Sequence, residues 1–313
     1  MRIIRDTYFI DPDDRGAVAA IGNFDGVHLG HQVVLDRARD IAAAENMPLG
    51  VMTFEPHPRQ FFAPDAPSFR LMNADARANR LQKLGVERLY EVRFNPTLSQ
   101  LSPREFAQTV IVDQLNLTHV VVGADFCFGA KRAGDTQTLI DLGAELGFGV
   151  TIVELLELDT GEVSSTAIRD ALSDGRPRDA ARMLGHWHRI DGPVIRGDQR
   201  GRDLGYPTAN MSVAGLHLPK MGVYAVKVEV LDGPFKGDYG GAASIGVRPM
   251  FGQDNMPNIE TFLFDFKGDL YGAELSVGLV DYLRPELKFD GLEALITQMD
   301  ADCAQAREIL QHV

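Results

Sequence analysis

The stretch Gly22-Asn23-Phe24-Asp25-Gly26-Val27-His28-Leu29-Gly30-His31 carries the strongest structural signal in this chain. An apolar run over residues 17–21 precedes it and predicts a buried strand, and its glycines predict a tight turn. A helical pattern begins at His31, so His28 and His31 lie at a predicted helix N-terminus. Free backbone N–H groups and the helix dipole favour an anion at such a position. The stretch therefore predicts a strand, a turn and a helix that together bind a phosphate group.

Strand-like and helix-like segments alternate outward from this stretch through the first half of the chain. The strand-like runs cover residues 17–24, 49–54, 89–94, 119–123 and 150–155, and the helical patterns cover 31–44, 73–84, 103–115 and 136–146. Ser102, Pro103 and Glu105 predict a capped helix start. Strict alternation predicts an α/β domain with a doubly wound parallel sheet, in which ligands bind beyond the carboxyl ends of the strands.

The pattern changes after about residue 175. A helical piece around Ala180 leads to Gly185, and short strands of alternating polarity follow, such as residues 226–230. Glycine and proline turns between these strands predict an antiparallel sheet or barrel. One long helix closes the chain, with Asp290 and Glu293 as its expected capping box. The sequence thus predicts two domains, 1–180 and 181–313.

The composition limits the class of protein. The chain has 313 residues and a formal net charge of −13, which argues against nucleic-acid or anionic-membrane partners. The N-terminus lacks the pattern of a signal peptide, and no apolar run is long enough to span a bilayer. Cys127 and Cys303 lack metal or disulfide spacing, so we expect free, buried thiols in a cytoplasmic protein. The sequence indicates no oligomeric state.

Three further polar segments are expected at the same sheet edge as His28 and His31. Residues 53–58 end the second strand-like run, residues 123–126 end the fourth, and Ser164-Ser165-Thr166 begins a helix after the fifth. Hydroxyl groups at a helix start, with Arg169 one turn later, suit a triphosphate. A zinc site is disfavoured because no cysteine lies nearby and the histidine spacing differs from that of zincins. Two merely solvated histidines remain an open alternative.

These segments together resemble the N-terminal module of the bacterial bifunctional riboflavin kinase/FAD synthetases, a Rossmann-like nucleotidylyltransferase domain. His28-Leu29-Gly30-His31 matches the H-x-G-H signature of that group, and residues 164–169 match its second motif. The resemblance implies that the FMN phosphate attacks the α-phosphorus of ATP and releases pyrophosphate. It implies His28 and His31 as catalytic residues. It also implies an ATP site formed by Gly22, Asn23, Phe24, Asp25, His28, His31, Asp125, Ser164, Thr166 and Arg169.

The second half carries an independent polar signal. Residues 197–202 form a glycine-rich basic loop, and residues 204–210 follow it. Thr208 and Asn210 lie two apart, on one face of a predicted strand, and offer two oxygen ligands of the kind that Mg²⁺ accepts. Glu260 alternates with apolar neighbours in another strand-like run, so its carboxylate could face a cleft. A barrel turn with solvated arginines and a solvated Glu260 is the plainer alternative.

These residues resemble the flavokinase module of the same bifunctional family, an antiparallel β-barrel with a terminal helix. Its P-T-A-N motif stands here as Pro207-Thr208-Ala209-Asn210. The resemblance implies transfer of the ATP γ-phosphoryl group to riboflavin, with Glu260 as general base and Thr208 and Asn210 as Mg²⁺ ligands. It also implies an ATP site formed by Gly197, Arg202, Gly205, Pro207, Thr208 and Asn210. Met250 departs from the family pattern, which often has threonine after the proline.

The two resemblances imply a bifunctional enzyme whose substrates are riboflavin, FMN and ATP and whose products are FMN and FAD. Two alternatives stay open: a chain with only one active module, and a nucleotide- or flavin-binding regulatory protein without turnover. A transferase acting on nucleic acid conflicts with the acidic charge balance and the lack of a basic stripe.

Overall fold

The computed structural model describes residues 1–154, 156–158, 161–197, 205–247 and 257–313. Residue contacts divide the chain into an N-terminal unit (Met1–Ala66 and Ala74–Ser164) and a C-terminal unit (Pro67–Asn73 and Ser165–Val313). The boundary between residues 180 and 181 stays a prediction. Within the described ranges, no helix combines the length and the apolar character needed to cross a membrane.

A six-stranded parallel sheet forms the centre of the N-terminal unit. Its strands are β1 (Arg2–Ile4), β2 (Val18–Ile21), β3 (Leu49–Glu55), β4 (Arg88–Arg93), β5 (His119–Gly123) and β6 (Gly149–Val153). They lie side by side in the order β1-β4-β3-β2-β5-β6 and all neighbours are parallel. β2 is buried along its whole length, as is typical of a strand inside a parallel sheet. The predicted parallel sheet is confirmed, and β1 is an additional edge strand.

Helices follow the strands of this unit. They are α1 (Leu29–Glu45), α2 (Pro58–Phe62), α3 (Ala74–Lys83), α4 (Pro96–Gln100), α5 (Pro103–Phe106) and α6 (Thr136–Leu146). The capping box at Ser102 and Glu105 is confirmed, because each side chain accepts a hydrogen bond from the backbone of the other residue. Beyond α5 the chain continues as a π-helix over Ala107–Gln114. Two short strands, β7 (Glu157–Leu158) and β8 (Gly161–Glu162), pair antiparallel near the end of the unit.

A six-stranded antiparallel sheet forms the C-terminal unit. Its strands are β9 (His188–Pro193), β10 (Thr208–Ser212), β11 (Gly222–Val230), β12 (Gly237–Val247), β13 (Pro257–Leu263) and β14 (Glu274–Arg284). Their spatial order is β10-β13-β12-β11-β14-β9. The Ile195 amide, just beyond β9, donates to the Asn210 carbonyl oxygen on β10 at 2.8 Å. This bridge joins the first and last strands, so the sheet curls into the predicted barrel.

Three helices accompany the barrel: α7 (Ser165–Ser173), α8 (Pro177–Leu184) and α9 (Leu292–Leu310). On α9, Ala306 packs in a small core with Ala225, Ala242 and Phe264. The expected capping box at Asp290 and Glu293 is wrong. Gly291 takes the N-cap position, so Glu293 falls one residue too early, and no side chain of the described residues caps this end.

A buried ion pair fastens α9 to the barrel. Arg284, the last residue of β14, donates from Nε and Nη2 to the carboxylate of Asp302 on α9 at 2.9 and 2.7 Å. The Asp302 side chain is 7% exposed, and Gln298 donates a further hydrogen bond to it. A charge-assisted bidentate pair of this kind is both strong and directional.

Cys127 and Cys303 are free, as predicted, but both are half-buried instead of buried. The partial burial of Cys303 beside the carboxylate of Asp302 raises the pKa of its thiol to about 11. This thiol is therefore protonated at neutral pH and a poor nucleophile.

Candidate active sites

The signature turn, residues 22–28 between β2 and α1, has an unusual backbone conformation. Phe24 and Val27 have φ angles of +51° and +45°, and Gly26 between them has +86°. Aromatic and β-branched residues rarely adopt this left-handed region, and such strain concentrates at functional sites. Phe24 and Val27 are buried, as is Asp25. Surrounding packing therefore holds the turn in one conformation.

His28 and His31 stack on each other at the start of α1. Their ring centroids are 3.6 Å apart and the ring planes differ by 20°. His28 is the N-cap of the helix, and its Nδ1 accepts a hydrogen bond from the His31 amide at 3.3 Å. A neutral imidazole that accepts at Nδ1 carries its proton on Nε2. His28 thus has the tautomer that can donate from Nε2 to an oxygen atom.

Gly30 makes room for this arrangement. A Cβ at position 30 would lie 3.1 Å from two atoms of the His28 ring and 3.5 Å from the carbonyl oxygen of Val163. The glycine therefore permits the close approach of both groups. Because Val163 directly precedes Ser164, the first residue of the predicted second motif also lies beside the signature.

His31 is neutral at physiological pH. Burial, and the nearby His28, lower the pKa of His31 well below its usual value. Its Nδ1 is buried without a hydrogen-bond partner among the described residues. A buried polar atom of this kind costs roughly 1–3 kcal/mol until a partner reaches it.

Asp125 follows β5 and is exposed, with one carboxylate oxygen 3.0 Å from the position that a Cβ on Gly123 would take. Gly22 and Asn23 begin the signature turn. Ser164 closes the N-terminal unit, whereas Thr166 and Arg169 belong to α7 in the C-terminal unit. The assembly of all these residues around one ATP stays a prediction.

A cavity of about 180 Å³ opens in the C-terminal unit. Four residues predicted for the ATP and Mg²⁺ sites line it, together with residues of the turn that follows β13. Its lining includes Gly197, Pro207, Thr208, Asn210, Phe266, Lys267, Asp269 and Tyr271. Gly205 lies in a turn just before the lining residues of β10, and Arg202 falls outside the described residues, as does Met250.

A polar cluster on the barrel strands borders this cavity. Asn210 on β10 lies directly opposite Glu260 on β13. The Thr208 hydroxyl donates to the Glu260 carboxylate at 3.5 Å, and the Asn210 amide donates to the Thr208 carbonyl oxygen at 3.2 Å. The predicted catalytic glutamate and the two predicted metal ligands are therefore neighbours.

Asn258 belongs to the same cluster but was missed in the sequence. Its amide donates to Asn210 Oδ1 at 3.4 Å and to Glu260 Oε1 at 3.5 Å. Asn258 precedes Glu260 by two residues on the same strand, and residues so spaced face the same side of a sheet. Strand alternation counted back from Glu260 is the signal that would have identified it.

The donor atoms of this cluster suit Mg²⁺. Thr208 supplies a hydroxyl oxygen and Asn210 an amide oxygen, both hard ligands of the type that Mg²⁺ accepts. Across the described ranges, no group of three or more His, Cys, Asp and Glu side chains could hold a metal ion. Thr208 and Asn210 both line the cavity and are the candidate Mg²⁺ ligands.

Two family models together match most of the chain. The FAD synthetase model matches residues 10–167 and the riboflavin kinase model matches residues 184–310. A bifunctional riboflavin kinase/FMN adenylyltransferase of Pseudomonas fluorescens is 42% identical, over 99% of this chain and 98% of the relative. The enzyme of that name from Escherichia coli K12 is 36% identical, with 98% and 97% coverage. 

The fold is similar to a crystal structure described as a macrolide-efflux protein from Streptococcus pneumoniae. The TM-score is 0.82 at 32% identity, and the match covers 96% of both chains. Sequence motifs, both family models and full-length relatives all agree. The chain therefore belongs to the bifunctional riboflavin kinase/FMN adenylyltransferase family.

Proposed function

We propose that this chain carries out two successive reactions. The C-terminal unit transfers the γ-phosphoryl group of ATP to riboflavin and forms FMN and ADP. The N-terminal unit then joins FMN to the adenylyl group of a second ATP and releases pyrophosphate, which gives FAD. The observation that carries the proposal is the presence of two polar constellations in one chain. His28 and His31 lie in the N-terminal unit within the FAD synthetase match, and Thr208, Asn210 and Glu260 lie in the C-terminal unit within the riboflavin kinase match.

In the kinase reaction, Glu260 is the proposed general base that accepts the proton of the riboflavin 5′-hydroxyl. Thr208 and Asn210 would hold Mg²⁺, which when bound neutralises charge on the ATP phosphates. Gly197, Gly205 and Pro207 would border the phosphates, together with Arg202 in the loop outside the described residues. The cavity beside Thr208 and Asn210 supports this assignment. Positioning and charge stabilisation supply most of the catalysis of phosphoryl transfer.

In the adenylyl transfer, an FMN phosphate oxygen bonds to the α-phosphorus of ATP while the bond to pyrophosphate breaks. His28 and His31 are the proposed contacts of the α-phosphate region. Both act as neutral hydrogen-bonding groups, because His28 accepts at Nδ1 and burial keeps His31 unprotonated. The turn residues Gly22, Asn23, Phe24 and Asp25 and the β5 residue Asp125 would shape the ATP site, and Ser164, Thr166 and Arg169 would hold the β- and γ-phosphates.

A continuous row of aromatic rings in the N-terminal unit supports a flavin site there. Phe62 contacts Phe94 at 5.7 Å between ring centroids, and Phe94 contacts Phe54 at 5.9 Å. Phe54 in turn contacts Phe106 at 6.4 Å. Phe62 is 67% exposed, so its ring has a face available for stacking. We propose that the isoalloxazine ring of FMN stacks at this exposed end.

One incubation tests both activities. Purified protein is mixed with riboflavin, ATP and Mg²⁺, and a parallel tube contains FMN instead of riboflavin. Chromatography follows riboflavin, FMN and FAD with time. FMN that appears first and FAD that appears second support the proposal. Unchanged riboflavin and unchanged FMN would refute it and favour the alternative of a binding protein without turnover.

Two single variants test whether the sites are separate. His28→Ala is expected to abolish FAD formation from FMN while FMN formation continues. Asn210→Ala is expected to abolish FMN formation while added FMN is still converted to FAD. Loss of both reactions in either folded variant would contradict the assignment of one reaction to each unit.

We also propose a cytoplasmic location. Two free cysteines, neither of them paired, suit a reducing compartment. 

A further inference from the structure

Arg77 on α3 is a fully buried arginine in the N-terminal unit. Its side chain is 1% exposed. Its Nη2 donates to Glu55 Oε1 at 2.7 Å and to Glu91 Oε1 at 3.3 Å. Glu91 is buried as well and also accepts from Arg5 at 2.9 Å. Burial of the Arg77 and Glu91 charges is costly unless each is paired, and here each lies beside an opposite charge.

The guanidinium also reaches the signature turn. Arg77 Nη1 donates to the carbonyl oxygen of Asn23 at 3.4 Å, and the Thr53 hydroxyl donates to the same oxygen at 3.3 Å. That carbonyl belongs to the peptide bond between Asn23 and Phe24, and Phe24 is the first residue of the turn with a positive φ angle. Two side chains from neighbouring elements thus hold the peptide at the strained point.

The anchored peptide is linked to the histidines through Phe24. The Phe24 ring is 5.0 Å from the His31 ring, and His31 stacks on His28 at 3.6 Å. Phe24 is 1% exposed, so a shift of its ring displaces the His31 ring that it contacts, and His31 in turn stacks on His28. The conformation of this turn therefore sets the place of the two imidazoles.

We infer that Arg77, oriented by Glu55 and Glu91, is a positioning residue for adenylyl transfer that holds the Asn23 carbonyl and, through Phe24, the His28 and His31 rings. The inference rests on the proposed function of the N-terminal unit. Arginine suits this role because its planar fork can donate to several oxygens at fixed angles. A lysine keeps the charge but cannot bridge two carboxylates and a carbonyl in the same way.

The test compares Arg77→Lys with Arg88→Lys. Arg88 is the first residue of β4, at the end of the strands opposite the signature turn, and its guanidinium donates to the main-chain carbonyls of Asp13 and Arg15. Both variants thus exchange an arginine that binds a loop carbonyl in the same unit. Adenylyl transfer from FMN, riboflavin phosphorylation and the melting temperature are measured for each, and ¹⁵N NMR follows the titration of His31 without substrate.

Arg77→Lys is expected to lower kcat of adenylyl transfer about tenfold or more, with riboflavin phosphorylation within twofold of the unchanged protein. The His31 titration is expected to move toward its ordinary range, because the loosened turn admits water. Arg88→Lys is expected to leave both within twofold. Equal adenylyl transfer in the two variants, or a loss without any movement of the His31 titration, would overturn the inference.

Should Arg77→Lys fail to fold, Glu55→Gln replaces it, because this change keeps the side-chain shape and removes one charge that orients Arg77. A smaller loss in the same direction is expected, and an unchanged rate with an unchanged His31 titration would overturn the inference. Failure of the unchanged protein to make FAD from FMN would instead refute the proposed function, and the inference with it.

Discussion

Gly197→Ala is expected to impair riboflavin phosphorylation through a single methyl group. A Cβ at position 197 would lie 2.7 Å from Asn210 Nδ2 and 2.8 Å from Asn210 Cγ. The Asn210 amide must retreat by about 0.7 Å to reach an ordinary contact of 3.4 Å, which stretches its 3.2 Å hydrogen bond to the Thr208 carbonyl. A displacement of about 1 Å near a reacting centre can cost about 100-fold.

We therefore expect kcat/KM for FMN formation to fall about 10- to 100-fold, equivalent to about 1.4–2.7 kcal/mol of transition-state stabilisation. Chromatographic rates with riboflavin measure it, and FAD formation from added FMN serves as an internal standard. Gly192→Ala is the matched control, because a Cβ there meets no described atom within 4 Å. Phosphorylation by Gly197→Ala within twofold of that control would refute the role given to Asn210.

Two predictions concern stability. Burial beside His186 and His217 lowers the pKa of His188 to about 3. The unfolded chain takes up this proton below about pH 6.5 whereas the folded one does not, so unfolding free energy falls by about 1.4 kcal/mol per pH unit as the pH drops from 6.5 toward 3. Urea titrations should show a flatter pH dependence for His188→Gln, and an identical slope would contradict this origin. Asp302→Asn should lower the unfolding free energy by about 3 kcal/mol, because it leaves the Arg284 guanidinium without its charged partner. The double variant Arg284→Met with Asp302→Leu should recover most of this lost stability. An Asp302→Asn variant as stable as the unchanged protein would contradict the estimate.

Local signals explain why the architecture could be predicted. Alternating apolar runs and helical patterns predicted the strands β2 to β6 and their parallel arrangement, and Ser102 with Glu105 marked a helix start that the structure contains. The spacing of Thr208 and Asn210 placed both on one strand face, and register then brought Glu260 opposite Asn210. These features depend on residues close in sequence or on a fixed period, which a single chain displays.

The missed features depend on contacts between distant residues. β1 has three residues and gains its partner, β4, from more than eighty positions away, so it offers no period to detect. Arg77 was not singled out in the sequence, because its partners Glu55 and Glu91 lie on β3 and β4 and no pattern within the helix indicates them. Gly291 displaced the expected N-cap by one residue, an offset that sequence patterns do not resolve.

The bridge between Ile195 and Asn210 has a consequence for how mutations act on this chain. The hydrogen bond that closes the barrel uses the main-chain oxygen of Asn210, whereas the chemistry proposed for the same residue uses its side chain. A substitution of the Asn210 side chain therefore leaves this main-chain hydrogen bond in place. The main chain of Asn210 closes the barrel and its side chain serves the proposed kinase reaction. Substitutions that inactivate the kinase at this position are therefore expected to yield a folded protein in which adenylyl transfer can still be measured.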